Sequence, residues 1–191
     1  VHTGYLGPPD PEWPMLAFLP GAPAISSFRR DKILRKIQEI APAAVSVEAW
    51  YVHIVQLEDA LSDAEQSALA QLLTYDAEPA PASLPSSNLV VVPRPGTISP
   101  WSSKATEIAH NCGLSAVARI ERGAIYVVTP TLSAAERSAV VPLLHDRMTE
   151  AVLPDLADAA VLFDSQQPRP VGHVDVIGGG RAALEAANTG L

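Results

Sequence analysis

The chain repeats itself. A shift of 71 residues lays Leu61-Ser62 on Leu132-Ser133, Glu65 on Glu136, Ser67-Ala68 on Ser138-Ala139 and Leu72-Leu73 on Leu143-Leu144. A shift of 73 residues lays Ile25-Ser26 on Ile98-Ser99 and Phe28 on Trp101. Repeated supersecondary units bury surface that neither copy can bury alone. The repeat therefore predicts two related halves packed about a pseudo-twofold axis, as the subunits of a homodimer pack. Residues 78–87 (EPAPASLPSS), with three prolines and three serines, read as the tether between the halves.

Each half reads strand, loop, helix, strand pair, helix, which makes the fold class α+β. In the first half (residues 15–77), a short apolar strand over 15–19 is stopped by Pro20-Gly21. A helix capped by Ser26 or Ser27 follows, with Phe28, Ile33/Leu34, Ile37 and Ile40/Ala41 as its apolar stripe. Arg29, Arg30, Lys32, Arg35, Lys36 and Glu39 fill its other faces, either as a solvated surface or as a ligand surface. Residues 45–57 are rich in Val, Ile, Trp and Tyr and read as a bent strand or a hairpin. Ser62-Asp-Ala-Glu65 is a capping box that opens the next helix.

In the second half (residues 88–163), a strand over 88–92 leads into a Pro/Gly/Ser/Thr loop and a helix over 104–112. Gly113 is placed to end that helix in the left-handed conformation. Residues 117–121 and 124–129 read as a hairpin turning at Arg122-Gly123. Ser133-Ala-Ala-Glu136 is a second capping box, and Pro142 either kinks the helix it opens or marks its first turn.

The flanks differ from the repeat. Residues 1–14 contain Pro8, Pro9, Pro11 and Pro14 without periodicity, and read as a disordered tail or an appended remnant. Residues 164–191 begin with a linker (DSQQPRP). A strand over 174–177, a Gly178-Gly-Gly180 turn and a helix from Arg181 follow, as the truncated start of a further unit.

Composition excludes several classes. With 13 Lys+Arg against 21 Asp+Glu, the net charge of -8 argues against general binding to nucleic acid or to an anionic membrane. The single Cys112 excludes an internal disulfide framework and a Cys-rich zinc module. No apolar run approaches the roughly 18 residues that a spanning helix needs. No signal peptide is visible, so the expected setting is soluble, reducing and cytoplasmic. The 18 prolines lie mostly in the segments read here as tail, tether, loop and linker.

Most constellations with chemical potential are incomplete. The Gly178-Gly-Gly180 turn lacks dinucleotide-fingerprint spacing and a following Gly-Lys-Ser/Thr. His110 and Cys112 have no second cluster to complete a metal site. Residues two apart on a helix diverge, so they do not form a nucleophile–base pair either. Trp101 stands where a Ser-x-x-Lys motif ending at Lys104 needs its serine. No catalytic residue and no metal ligand is assigned. The candidate site is the stiff loop over residues 93–104, with Arg94, Gly96, Thr97, Ser99, Trp101, Ser102, Ser103 and Lys104. Arg94, Lys104 and a helix N-terminus can together hold an anion such as phosphate. Alternatively the loop is structural and packs Trp101 on its own scaffold.

The stretch Pro93-Arg-Pro-Gly-Thr-Ile-Ser-Pro-Trp-Ser-Ser-Lys-Ala-Thr-Glu-Ile-Ala-His-Asn-Cys-Gly113 resembles a hallmark of the large phosphoribosylformylglycinamidine synthases, the formylglycinamide ribonucleotide amidotransferases. Arg119-Ile-Glu-Arg-Gly123, Tyr51-Val-His53 and Asp175-Val-Ile-Gly-Gly-Gly-Arg-Ala-Ala-Leu-Glu-Ala-Ala-Asn188 are also similar to that family. The resemblance implies an N-terminal domain built like a dimer of the small subunit of multi-protein versions, followed by the start of a helical linker domain. It implies a purine-biosynthesis ligase that converts formylglycinamide ribonucleotide, ATP and glutamine to formylglycinamidine ribonucleotide. ATP and Mg, the ATP-using synthetase and the glutaminase belong to domains outside this stretch. Cys112 does not match the glutaminase nucleophile, so the expected fragment has no complete active site and no cofactor, and its partners are those two domains. The alternative is a self-standing regulatory or small-metabolite-binding α+β module.

Overall fold

The computed structural model describes residues 4–5, 15–75, 78–85, 89–164 and 171–189. Its strands are β1 (Gly4–Tyr5), β2 (Met15–Pro23), β3 (Ser46–Leu57), β4 (Leu89–Pro93), β5 (Val117–Thr129) and β6 (Glu150–Leu153). They form one six-stranded sheet in the order β1-β2-β3-β5-β4-β6, antiparallel throughout. Its helices are α1 (Ser27–Ile40), α2 (Asp63–Leu72), α3 (Pro100–Asn111), α4 (Ala134–Leu144) and α5 (Val176–Thr189), with a 3-10 helix at Leu156–Leu162. The protein is α+β, with strand and helix alternating as β2-α1-β3-α2 and then β4-α3-β5-α4.

The sequence repeat is built into the centre of the sheet. β3 and β5 pair along their whole length, from Ser46↔Thr129 to Leu57↔Val117. The 71-residue shift carries Val52 onto Gly123, its own cross-strand partner. A pseudo-twofold axis relating the halves therefore passes between these two residues. Each of the first four helices is capped by a serine at a repeat-related position: Ser26 and Ser99, then Ser62 and Ser133. Both expected capping boxes are present, each with the glutamate bonded back to the serine N–H at 2.8 Å.

Alternation along the strands divides the core into two layers. On one face, Val47, Ala49, Leu89, Val91, Tyr126 and Val128 pack under α1 and α4. On the same face, Val55, Leu57, Val117 and Ile120 pack with Leu69, Leu73 and Ala109 of the α2 and α3 region. The opposite face buries Phe18, Val52, Ile54, Val90, Val92 and Ile125 under Leu153 and the 3-10 helix. Leu84, inside the expected tether, packs against this second layer.

Several expectations are corrected. Neither long strand is a hairpin, so each half is strand-helix-strand-helix without a strand pair. β5 runs straight through Arg122-Gly123 because β3 offers it a continuous ladder. Gly123 answers close packing instead of a turn: a Cβ there would stand 2.8 Å from the Val91 carbonyl oxygen. β2 likewise continues through Pro20-Gly21, with a register slip between Pro20 and Pro23. Proline at such an irregularity loses little, because the ladder is already interrupted there.

Phe28 does not join the buried stripe of α1. It is 75% exposed, while Ile33 and Ile37 face inward. The expected strand over 174–177 is instead the entry to α5. Asp175 accepts from the Gly178 N–H at 2.8 Å, and the segment has no strand beside it among the described residues. Gly180, at φ 55° and ψ -142°, kinks α5 just before Arg181. β6 and the 3-10 helix carry too little periodicity to be read from sequence. Of the expected tail, Gly4–Tyr5 pairs with β2, and residues 1–3 and 6–14 lie outside the described residues. The end of the tether (86–87) and most of the 164–170 linker lie outside them too.

Candidate functional site

The candidate loop is shorter than its sequence suggests. Ser99 caps α3, accepting the Ser102 N–H at 3.0 Å, and Pro100 takes the first helical position, where no donor is needed. The helix thus starts four residues before Lys104. Trp101, Ser102, Ser103 and Lys104 lie on its first turns, and the loop proper is residues 94–99. The far end of the helix is as expected, with Gly113 in the left-handed region at φ 83° after Cys112.

The 94–99 turn is tightly tied. The Thr97 N–H and Oγ1 donate to the Arg94 carbonyl at 3.3 and 2.6 Å, and Gly96 supplies the left-handed φ of 80°. Beneath lies Glu121, fully buried on β5. One of its carboxylate oxygens accepts from Ser99 Oγ at 3.0 Å, and the other accepts from Arg119 Nε at 3.1 Å and from Arg119 Nη2. Arg119 also donates to the Thr97 carbonyl at 2.8 Å and to the Leu162 carbonyl at 3.1 Å. Its guanidinium lies 5.4 Å from the Phe163 ring centre. A single ion pair thereby fastens the turn, β5 and the end of the 3-10 helix together. Arg94 is left exposed, with no side-chain hydrogen bond or ion pair among the described residues.

A second cluster lies on the helix-covered face. Cross-strand pairing sets His53 beside Arg122, and alternation puts Tyr51 on the same face. The Arg122 guanidinium lies 4.3 Å from the Tyr51 ring centre and 4.7 Å from that of Trp101. Trp101 stacks on His53 with ring centres 5.6 Å apart. Tyr75 closes the group: its hydroxyl lies 3.0 Å from His53 Nε2 and accepts from Arg122 at 3.1 Å. Burial, and then the Arg122 charge, push the His53 imidazole down to about 4. It is neutral at pH 7. Among the described residues, the buried Ser102 Oγ has no hydrogen-bond partner.

Trp101 therefore packs on the scaffold, as one of the two readings expected. An apolar groove of about 260 Å³ opens beside it, lined by Leu72, Leu73, Tyr75, Trp101, Lys104, Ala105 and Ile108. Lys104 is exposed on α3. Its ammonium pairs with Glu107 at 2.9 Å on the helix surface. Ser103 is exposed. His110 bonds the Val117 carbonyl at 2.6 Å, and Cys112 is exposed. Among the described residues, no three His, Cys, Asp or Glu side chains are grouped to hold a metal. No helix among them is long and apolar enough to cross a membrane.

Residues 50–163 match the family model described as formylglycinamide ribonucleotide amidotransferase N-terminal. The chain belongs to that family.

The match begins within β3 and ends just past the 3-10 helix, so it contains most of β3, all of β5, the 94–99 turn and the Arg119–Glu121 pair. Within this amidotransferase domain, sequence reasoning singled out the turn but not what holds it. Glu121, Arg119, His53, Tyr51, Arg122 and Tyr75 were not among its candidates. One signal was available: three charged residues within a β-branched stretch, at Arg119, Glu121 and Arg122, mark a strand with polar work on both faces.

Proposed function

We propose that this amidotransferase N-terminal domain docks on the synthetase and glutaminase domains of its enzyme and helps couple ammonia delivery to amidation. The reaction served is conversion of formylglycinamide ribonucleotide, ATP and glutamine to formylglycinamidine ribonucleotide in purine biosynthesis. ATP and Mg²⁺ act in the synthetase domain, where ATP activates the amide oxygen of the substrate. The glutaminase releases ammonia, which attacks the activated amide carbon, and the oxygen leaves as phosphate. This chain contributes no complete active site.

One observation carries the reading. Within the family-matched region, an exposed turn bearing a free Arg94 is held rigid by a buried ion pair. A stiff polar turn on a fixed scaffold suits contact with another domain or with the phosphorylated substrate. Ordering it beforehand removes an entropy cost at the encounter.

The test uses the complete enzyme. Arg94→Ala is expected to raise KM for the phosphorylated substrate or to release glutaminase turnover from synthetase turnover. Lys104→Ala, already paired with Glu107, is expected to have the smaller effect. Unchanged kinetics and coupling in both variants would leave the turn with a packing role only and overturn the proposal.

A further inference from the structure

Helix α1 is charged against its own dipole. Arg29 and Arg30 lie in its first turn, beside the positive pole made by free N–H groups, and that turn has no acidic residue. By contrast, α2 carries Asp63 and Glu65 there, and α4 carries Glu136. Further along, Lys32 follows Arg29 by three positions, and Arg35 and Lys36 follow Lys32 by three and four. Like charges at these spacings repel. Five of the 13 lysines and arginines lie between residues 29 and 36, in a chain of net charge -8. Only Arg30 among them is in an ion pair among the described residues, with Glu48 at 3.4 Å. Beside them stands Phe28, 75% exposed.

Asp31 and Glu39 offset two of these charges, and Arg35 Nε donates to the Asp31 carbonyl at 3.3 Å, but the face remains net positive. Ile33 and Ile37 already anchor α1 on α4, so the outer cations and Phe28 are not needed for packing. Their mutual repulsion is relieved when an acidic surface covers them. We infer that the outer face of α1 is a docking surface for an acidic protein surface, with Phe28 as its apolar anchor. This rests on the docking reading above and names the face that meets the catalytic domains. Charge complementarity points to an acidic partner. A long polyanion would extend past this single helix onto a chain that is otherwise strongly acidic, and one phenylalanine fits a pocket better than a run of bases.

The experiment supplies the synthetase and glutaminase domains as a separate polypeptide and measures their binding to this chain by calorimetry, at low and high salt. The wild-type affinity is expected to weaken with salt. The double variant Arg35→Glu, Lys36→Glu is expected to lose about tenfold or more in affinity, and Phe28→Ala a smaller but measurable factor. All three residues are exposed, and unchanged thermal melts check that the variants fold. Binding that neither salt nor these variants alter would overturn the α1 inference and leave the docking reading standing. No binding by the wild type would overturn the docking reading, and this inference with it. Charge-dependent binding of a single-stranded oligonucleotide, or self-association lost in the double variant, would assign the face to nucleic acid or to a second copy and equally overturn it.

Discussion

Ser99 Oγ lies 3.0 Å from a carboxylate oxygen of Glu121, a side chain with no solvent exposure. The same hydroxyl accepts the Ser102 N–H, so one atom both caps α3 and satisfies a buried charge. The helix start and the strand are thus fixed to each other, and the 94–99 turn between β4 and α3 inherits that rigidity.

Removing Arg119 is therefore expected to be severe. Arg119→Met strips the cation from a fully buried carboxylate and unties the Thr97 and Leu162 carbonyls. Breaking such a pair costs about 3–5 kcal/mol. Urea denaturation of wild type and variant measures it, and a loss within experimental error would contradict the clamp.

His53 makes stability depend on pH. Its folded pKa, about 4, lies below the ordinary 6.5. The unfolded chain therefore takes up a proton that the folded chain refuses. The stability contributed is fully present above pH 6.5 and is lost as pH falls toward 4, by about 3 kcal/mol in all. His53→Gln is expected to flatten this part of the stability–pH curve, as denaturation at several pH values would reveal.

The two capping boxes make a matched pair. Ser62→Ala and Ser133→Ala each remove the acceptor for an N3 backbone N–H. Each is expected to cost about 1 kcal/mol. Thermal melts compare them. A null effect at both sites would mean that tertiary packing alone holds these helix starts.

Gly123 at the pseudo-twofold axis is expected to reject even a methyl group. Its added Cβ meets the Val91 carbonyl oxygen at 2.8 Å and Val92 Cγ1 at 3.2 Å. Gly123→Ala should cost about 1–3 kcal/mol through backbone shifts. Gly172→Ala, where a Cβ meets nothing within 4 Å, is the control.

The sequence determined what local chemistry can specify. Capping boxes, the apolar stripe read over residues 28–41 (all but Phe28) and the β-branched and aromatic content of 45–57 depend on residues within a few positions of one another. They placed β3 and the starts of α1, α2 and α4, and the repeat pointed to two related halves. The motif over 93–113 carries the family resemblance in sequence alone. Tertiary structure decided what depends on distant partners. Whether Arg122-Gly123 turns or runs straight depends on β3, which lies some 70 residues away in sequence. Glu121 appears in sequence as one acid among 21, and becomes a clamp only because folding buries it beneath Ser99 and beside Arg119. Burial of a charge is a property of the assembled core, and a chain read residue by residue does not contain it.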